Sequence, residues 1–169
     1  MIQLALLQGA ARVITTAGSS EKAKIAQELG YQDVIDLSQE KLRDGVARLT
    51  ANTGVDLAID SMGGHIIGEV VASMKVGGTI VLVGDAAGSE ARFNIPRDFL
   101  ARDLHILGHR TVTTPPALRE QAFNTIFNFW VEGRIKPAVA RTFPLEQAAE
   151  AQRYQMEGRP FGKVLLMFE

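Results

Sequence analysis

The chain has 169 residues, a formal net charge of −1 and no cysteine. This length fits one domain, or one domain with part of another. Its Lys and Arg residues form no basic block, which argues against nucleic-acid binding. The absence of cysteine excludes disulfides and thiolate metal ligands and is typical of a reducing cytoplasm. The first residues, MIQLALLQGAARV, form too short an apolar run for a signal peptide or a membrane span. We therefore expect a cytoplasmic protein that binds neither nucleic acid nor membrane.

The first half of the chain alternates helical and strand patterns. The predicted elements are a helix in IQLALLQ, a strand in ARVITTA, a helix over 20–29, a strand in DVIDL, a helix over 39–50, a strand in GVDLAIDSMGG and a helix over 65–75. Gly77 and Gly78 are predicted to close that last helix, and the apolar run 80–83 suits a strand buried on both faces. This alternation predicts a parallel sheet with helices on both faces.

The second half has a different pattern. SEARFNIPRDFLARD predicts a surface loop or short helix, and LHILGHR predicts a strand. A long helix begins near PPALREQ and ends at Gly133; its apolar positions are Leu118, Ala122, Phe123, Ile126, Phe127 and Trp130. The tail from Ala138 predicts a strand, a helix, a turn and a strand.

The beginning of the chain departs from the expected order. A doubly wound sheet opens with a strand and a glycine-rich turn that leads into its first helix. Here IQLALLQ already indicates that helix, and no G-x-G-x-x-G motif occurs anywhere. Either the chain lacks its first strand and phosphate-binding loop, or it is a different α/β domain with an N-terminal helix.

Several segments together resemble the medium-chain dehydrogenase/reductase superfamily, in its zinc-independent quinone oxidoreductase and enoyl reductase branch. The segments are ARVITTAGSSEKAKIAQELG, DVIDLSQE, GVDLAIDSMGG, KVGGTIVLVGDAAG, EGRIKPAVARTFPLEQAAEA and GKVLLMF. The resemblance implies a Rossmann-like doubly wound parallel sheet that lacks its first strand and Gly-rich loop. Residues 1–137 would form this incomplete dinucleotide-binding domain. Residues 138–169 would be a remnant of the GroES-like catalytic domain.

The turn between the ARVITTA strand and the following helix is the first candidate site. In a dinucleotide-binding fold, this strand end meets the adenosine ribose, where an acidic residue favours NAD. The turn instead carries Ser19, Ser20 and Lys22, whose hydroxyls and ammonium suit the 2′-phosphate of NADP. The resemblance agrees, because NADPH-dependent members carry a similar turn. Alternatively, a serine is only the helix N-cap and Lys22 is a solvated side chain.

Three further candidates follow two central strands, at the sheet edge where ligands bind. Ser61 lies in DSMGG, and Gly84 and Asp85 lie in VGDAAG, a turn that the resemblance places along the nicotinamide. The alternative for each is a simple turn. Near the C-terminus, Gly162 and Lys163 resemble a Gly-Lys pair that approaches the cofactor; here too a turn with an exposed lysine is the alternative.

The segment Leu104–Arg110 resembles the edge strand that joins two subunits, so we expect a homodimer. The chain's three histidines form no metal-ligand pattern or catalytic triad, and we predict no metal site and no catalytic residue in this chain. The resemblance implies an NADPH-binding portion of an oxidoreductase that transfers hydride to a quinone or activated alkene. Alternatively, the chain is a truncated, non-catalytic dimerising or ligand-binding module, inactive on its own.

Overall fold

The structure is a computed structural model that describes residues 1–158 and 160–168. The helices are α1 (Ile2–Leu7), α2 (Ser20–Glu28), α3 (Leu42–Leu49), α4 (Ile66–Ala72), α5 (Ile95–Asp98), α6 (Pro116–Val131) and α7 (Ala148–Gly158). The strands are β1 (Thr15–Ala17), β2 (Val34–Asp36), β3 (Val55–Asp60), β4 (Met74–Leu82), β5 (His105–Gly108), β6 (Val139–Pro144) and β7 (Lys163–Met167). The predicted mixed α/β order is confirmed, although several elements are shorter than their sequence patterns.

The chain divides into two compact units. The first unit contains residues 1–34 and the described residues from 123 onward, and the second contains residues 35–122. This division places the beginning and the end of the chain in the same unit. The predicted domain boundary near residue 138 stays a prediction.

The second unit is built around a parallel three-stranded sheet in the order β3-β4-β5. Ala58, Ile80 and Ile106 lie side by side in its register. Ile80 is completely buried and contacts the apolar residues of α4, which include Ile67 and Val71. Because β4 lies between two parallel neighbours and under a helix, its centre forms the core of this unit.

The other face of the same sheet differs from the sequence prediction. Its side chains include Leu57, Ile59 and Leu107, all of which are exposed, and Val83 just beyond β4 is exposed as well. The expectation of a strand over 80–83 buried on both faces was therefore wrong for this unit. The physical reason is the connectivity: α4 connects β3 to β4 on one face, whereas only the short α5 and irregular chain connect β4 to β5.

The boundary between α4 and β4 also corrects the sequence prediction. The helix ends at Ala72, and Gly77 and Gly78 lie inside β4 instead of closing a helix. Met74 is buried and pairs with Val55, so the strand has already begun there. Sheet pairing and burial have thus outweighed the low strand propensity of two glycines.

The first unit contains α1, β1, α2 and the C-terminal elements. The amide of Thr15 donates to the Asp33 carbonyl at 2.9 Å, where β1 pairs with the beginning of β2. The predicted tail is confirmed: β6 and β7 pair in parallel, and α7 packs on them. Phe143 of β6 is almost fully buried, with its ring 5.7 Å from that of Tyr154 on α7.

The long predicted helix is confirmed as α6, and three of its aromatic residues contact one another in succession. The rings of Phe123 and Phe127 stack at 6.1 Å, and Phe127 meets Trp130 edge-on at 5.7 Å. The structure describes all residues of α6, and none of them is buried. The apolar stripe identified in the sequence therefore lies at the surface of the described chain.

Candidate functional site

The carboxyl ends of β3 and β4 form the best-defined candidate site, within the second unit. β3 ends at Asp60 and is followed by the turn Ser61–Gly64, whose Gly63 and Gly64 have positive φ angles of 67° and 63°. β4 ends at Leu82 and is followed by the loop 83–88. Because the strands are parallel, both loops leave the sheet at the same edge, which is where α/β proteins bind ligands.

The two loops are fastened to one another by backbone hydrogen bonds. The amide of Val83 donates to the Asp60 carbonyl at 2.8 Å, and the amide of Ala87 donates to the Met62 carbonyl at 2.6 Å. Gly63 and Gly88 form an isolated parallel bridge further along. The two strand ends therefore act as one structural element.

Glycine is required where these loops touch. A Cβ atom at Gly64 would lie 2.8 Å from the Ala87 carbonyl oxygen, and one at Gly84 would lie 2.7 Å from the Ser61 carbonyl oxygen. Both distances are shorter than any ordinary carbon–oxygen contact, so a side chain at either position would push the loops apart. This explains why small residues occur in both DSMGG and VGDAAG.

The loops border a cavity of about 370 Å³. Its polar wall carries Asp85 and Ser89, whereas its apolar wall includes Ile67 and Ile106, and it is lined further by Gly63, Gly64, Leu82, Gly84, Gly88, Ala91 and Phe93. The cavity is thus mainly apolar, with glycine backbone along one side. A flat heteroaromatic ring with a polar substituent suits such a site, since binding pockets combine apolar walls with a few polar groups.

The predicted residues Ser61, Gly84 and Asp85 are brought together here, each in a different role. Ser61 contacts the neighbouring loop through its carbonyl oxygen and does not line the cavity. Gly84 and Asp85 line it directly. The Asp85 carboxylate lies 3.7 Å from the Arg110 guanidinium, and both side chains are largely exposed. Their ion pair links the loop after β4 to the segment after β5.

The serine-lysine turn lies in the first unit, at the start of α2. Ser19 is the N-cap: its backbone is extended, and its Oγ accepts from the Lys22 amide at 3.4 Å. Ser20 is the first helical residue. Lys22 is half-buried, whereas Lys24 points to solvent and lies 4.0 Å from Glu28. Ser19 thus caps the helix, whereas the binding of a phosphate by this turn stays a prediction.

Gly162 and Lys163 lie at the start of β7 in the first unit. Gly162 has a φ of 112°, and a Cβ atom there would lie 2.9 Å from the Ala138 carbonyl oxygen. The Lys163 amide donates to the same carbonyl at 2.8 Å, and its side chain is exposed. Both residues therefore help to hold the start of β7 against the residue that precedes β6, while their approach to a cofactor stays a prediction.

Sequence reasoning did not single out several residues of the cavity. Gly63, Gly64 and Gly88 lie in the quoted motifs but were not chosen individually; the consecutive glycines of DSMGG are a signal that could have identified Gly63 and Gly64. Asp60, which does not line the cavity, was not singled out either, although its side chain is buried at the end of β3. Phe93 lies in an irregular segment that offers no periodic signal.

Among residues 1–158 and 160–168, no group of three or more His, Cys, Asp or Glu side chains is arranged to hold a metal ion, so these residues do not fit a zinc site. In the same part of the chain, no helix has the length and apolar character needed to cross a bilayer.

Comparison with known proteins identifies the class. The family model for zinc-binding dehydrogenases matches residues 1–128. A quinone oxidoreductase-like protein 2 from Bos taurus is 33% identical over 162 residues, which are 92% of this chain and 45% of that protein. A 2-haloacrylate reductase from a Burkholderia species is 26% identical over 165 residues, with coverages of 93% and 48%. The crystal structure of an NAD-dependent alcohol dehydrogenase superposes with a TM-score of 0.80 and 35% identity over 99% of this chain and 47% of the other.

The chain belongs to the zinc-binding dehydrogenase family, within the medium-chain dehydrogenase/reductase superfamily. Its α/β fold with parallel sheets matches the Rossmann-like cofactor-binding half of those proteins, and it spans about half the length of the relatives compared. The relatives compared are reductases, dehydrogenases or oxidoreductase-like proteins by name. The predicted superfamily and fold class are confirmed.

Proposed function

We propose that this chain is the NADPH-binding portion of an oxidoreductase that reduces a quinone or an activated alkene. The observation that carries the proposal is the glycine-lined cavity at the carboxyl ends of β3 and β4. It lies at the sheet edge where this class of fold binds nucleotides. Its apolar walls and single carboxylate suit the nicotinamide end of the cofactor.

The preference for NADPH over NADH rests on the turn before α2. Ser19 and Ser20 offer hydroxyl groups, and Lys22 adds a positive charge in the first turn of the helix. No acidic residue precedes Glu21, which lies in the first turn of α2 and would partly oppose a 2′-phosphate. One relative is NAD-dependent by name, which makes cofactor preference the feature that most needs measurement.

The reaction would be a two-electron reduction. When bound, a reduced nicotinamide supplies a hydride, which adds to one end of the activated double bond while a proton from solvent or a donor adds to the other. For a quinone, both additions give the quinol. The substrate classes follow the names of the relatives, a quinone oxidoreductase-like protein and a 2-haloacrylate reductase. This chain's own contribution would be to bind and orient the cofactor through the cavity and the serine-lysine turn.

We further propose a homodimer formed through the predicted segment Leu104–Arg110. Its strand β5 is an outer strand of the three-stranded sheet, and Leu107 there is 55% exposed. An exposed apolar edge strand is a site for pairing with another chain. The cytoplasmic location likewise stays a prediction from composition.

The second candidate is a non-catalytic dimerising or ligand-binding module. It is favoured by one observation, that the outer strand β5 carries Leu107, which is 55% exposed, because such an edge suits pairing with a second copy. A module of this kind would dimerise without turning over a substrate.

A fluorescence titration of the full chain with NADPH and NADH separates the candidates. The proposal predicts saturable NADPH binding that is tighter than NADH binding. Lys22→Ala should weaken NADPH binding about tenfold, because it removes one charge-assisted contact to phosphate, and should leave NADH binding unchanged. Lys24→Ala, in the same helix but exposed beside Glu28, is the matched control and should change neither. Equal effects of the two substitutions would contradict phosphate recognition, and no binding of either cofactor with an intact dimer would favour the second candidate.

A further inference from the structure

The carboxylate of Asp60 is buried beneath the candidate cavity. Among the described residues, Asp60 and Ser73 are the polar side chains that lie buried, and Asp60 is 7% exposed. A carboxylate withdrawn from water is unfavourable unless hydrogen bonds replace its lost hydration. Such a group at a strand end therefore calls for a specific partner.

That partner is the amide of Gly63, which donates to Asp60 Oδ2 at 2.7 Å. The bond closes a tight turn from Asp60 to Gly63, and both Gly63 and the next residue, Gly64, take positive φ angles. A hydrogen bond to an ionised acceptor is about twice as strong as a neutral one. The carboxylate thus holds the turn in a conformation that only glycine adopts readily.

The same turn forms part of the cavity wall. Gly63 and Gly64 line the cavity, and both lie against the neighbouring loop, where Cβ atoms would meet the carbonyl oxygens of Gly88 and Ala87 at 2.7 and 2.8 Å. A shift of the turn by a few tenths of an ångström would therefore change the cavity and the loop together. The Asp60 backbone carbonyl adds a second anchor, since it accepts from the Val83 amide.

We infer that Asp60 is a positioning residue: its buried carboxylate fixes the Gly63-Gly64 turn against the loop 83–88 and so sets the shape of the nicotinamide cavity. Asp60 does not line the cavity and acts through the amide of Gly63. The nicotinamide as occupant rests on the proposed function, whereas the fixed turn is a property of the free chain.

Ser73 supplies a matched control for the loss of a buried polar group. It is 6% exposed, lies in the same unit, and donates from Oγ to the Glu69 carbonyl at 2.7 Å at the end of α4. It does not line the cavity. Ser73→Ala therefore removes a buried hydrogen bond without touching the turn.

The test compares Asp60→Ala, Asp60→Asn and Ser73→Ala in the full chain by amide hydrogen exchange. Asp60→Ala should raise the exchange rate of the Gly63 amide roughly tenfold or more relative to that of Ile80 in the core, because it removes a charge-assisted hydrogen bond. Asp60→Asn retains an acceptor oxygen and should restore most of the protection. Ser73→Ala should leave the Gly63 rate unchanged relative to Ile80.

A second readout needs no variant. In the wild-type chain, a scalar coupling across the hydrogen bond should join the Gly63 amide nitrogen to the Asp60 side-chain carboxyl carbon. Its absence, unchanged Gly63 exchange in Asp60→Ala, or an equal effect of Ser73→Ala would each overturn the inference.

In NADPH titrations, Asp60→Ala should weaken binding about tenfold and Ser73→Ala should not. Failure of the wild-type chain to bind NADPH would instead contradict the proposed function, and the exchange and coupling measurements would still decide the role of Asp60.

Discussion

Replacing Gly64 by alanine tests the close contact between the two loops. Gly64→Ala should lower the free energy of unfolding through two separate effects. The first is the left-handed backbone, with φ at 63°, which a residue with a Cβ atom adopts at a cost of about 1–2 kcal/mol. The second is steric, since the new methyl group would lie 2.8 Å from the Ala87 carbonyl oxygen and 3.1 Å from the carbonyl carbon. Both neighbours are backbone atoms, so they yield only if the loop moves.

Gly77 allows the two costs to be separated. It lies in the same unit with a similar φ of 76°, but a Cβ atom there would meet nothing within 4 Å. Gly77→Ala should therefore show the backbone cost alone, reduced by the lower entropy of the unfolded chain to about 1 kcal/mol. Gly64→Ala should show the same cost plus about 1–3 kcal/mol for the forced displacement of packed backbone.

The assay is urea-induced unfolding of both variants and the wild-type chain, followed by circular dichroism. The expected free energies of unfolding fall by about 1 kcal/mol for Gly77→Ala and by about 2–4 kcal/mol for Gly64→Ala. Equal losses would refute the reasoning, because they would mean that the two loops do not restrict each other at Gly64.

Three further predictions concern the second unit. Gly45→Ala should lower the free energy of unfolding in urea by up to about 2 kcal/mol despite better helix propensity, since its methyl group would lie 2.6 Å from Cγ2 of the buried Ile35; an unchanged free energy of unfolding would contradict this contact. Arg102→Met should cost about 1–2 kcal/mol by the same assay, because the guanidinium donates to the carbonyls of Val71 in α4 and Met74 in β4, and Arg102→Lys should cost less. The side-chain hydrogen bond from Arg97 lowers the pKa of Asp98, so the stability that this carboxylate contributes is present above its ordinary pKa and is lost as the pH falls through the lower folded value. In a carbon-13 NMR titration, Arg97→Ala should raise the pKa of Asp98 towards its ordinary value, and an unchanged midpoint would contradict the assignment.

The order of helices and strands was predictable because it follows from local periodicity. Helix α2 carries Ala23 and Ala26 on one buried face, and its predicted end at Leu29 lies within one residue of the observed end. The first residue of β4 was harder to predict, since Gly77 and Gly78 are typical of the end of a helix. Only the pairing of Met74 with a strand nineteen residues earlier shows that the strand has begun, and such pairing is not a local property.

The position of the candidate site on the sheet was predictable from the sequence, but only some of the residues that form it were. Strand ends in a parallel fold converge at one edge, so Ser61 and Gly84 were expected near each other, and their loops do touch. Asp60 holds the Gly63 amide through a local hydrogen bond, whereas the constraint on Gly64 comes from its contact with Ala87 in the loop after β4. No spacing rule encodes that contact, because it arises only when β3 and β4 pair.

We propose that the full chain binds NADPH, and we expect contacts at two segments, each within its own unit: the ends of β3 and β4, and the start of α2. The most direct measurement is a heteronuclear NMR titration of the full chain with NADPH. The account predicts saturable shift changes concentrated at the amides of Gly63, Gly84 and Gly88 and of Ser19 and Lys22, with smaller changes at the second group for NADH. Shift changes that do not saturate, or that fall elsewhere in the chain, would contradict it.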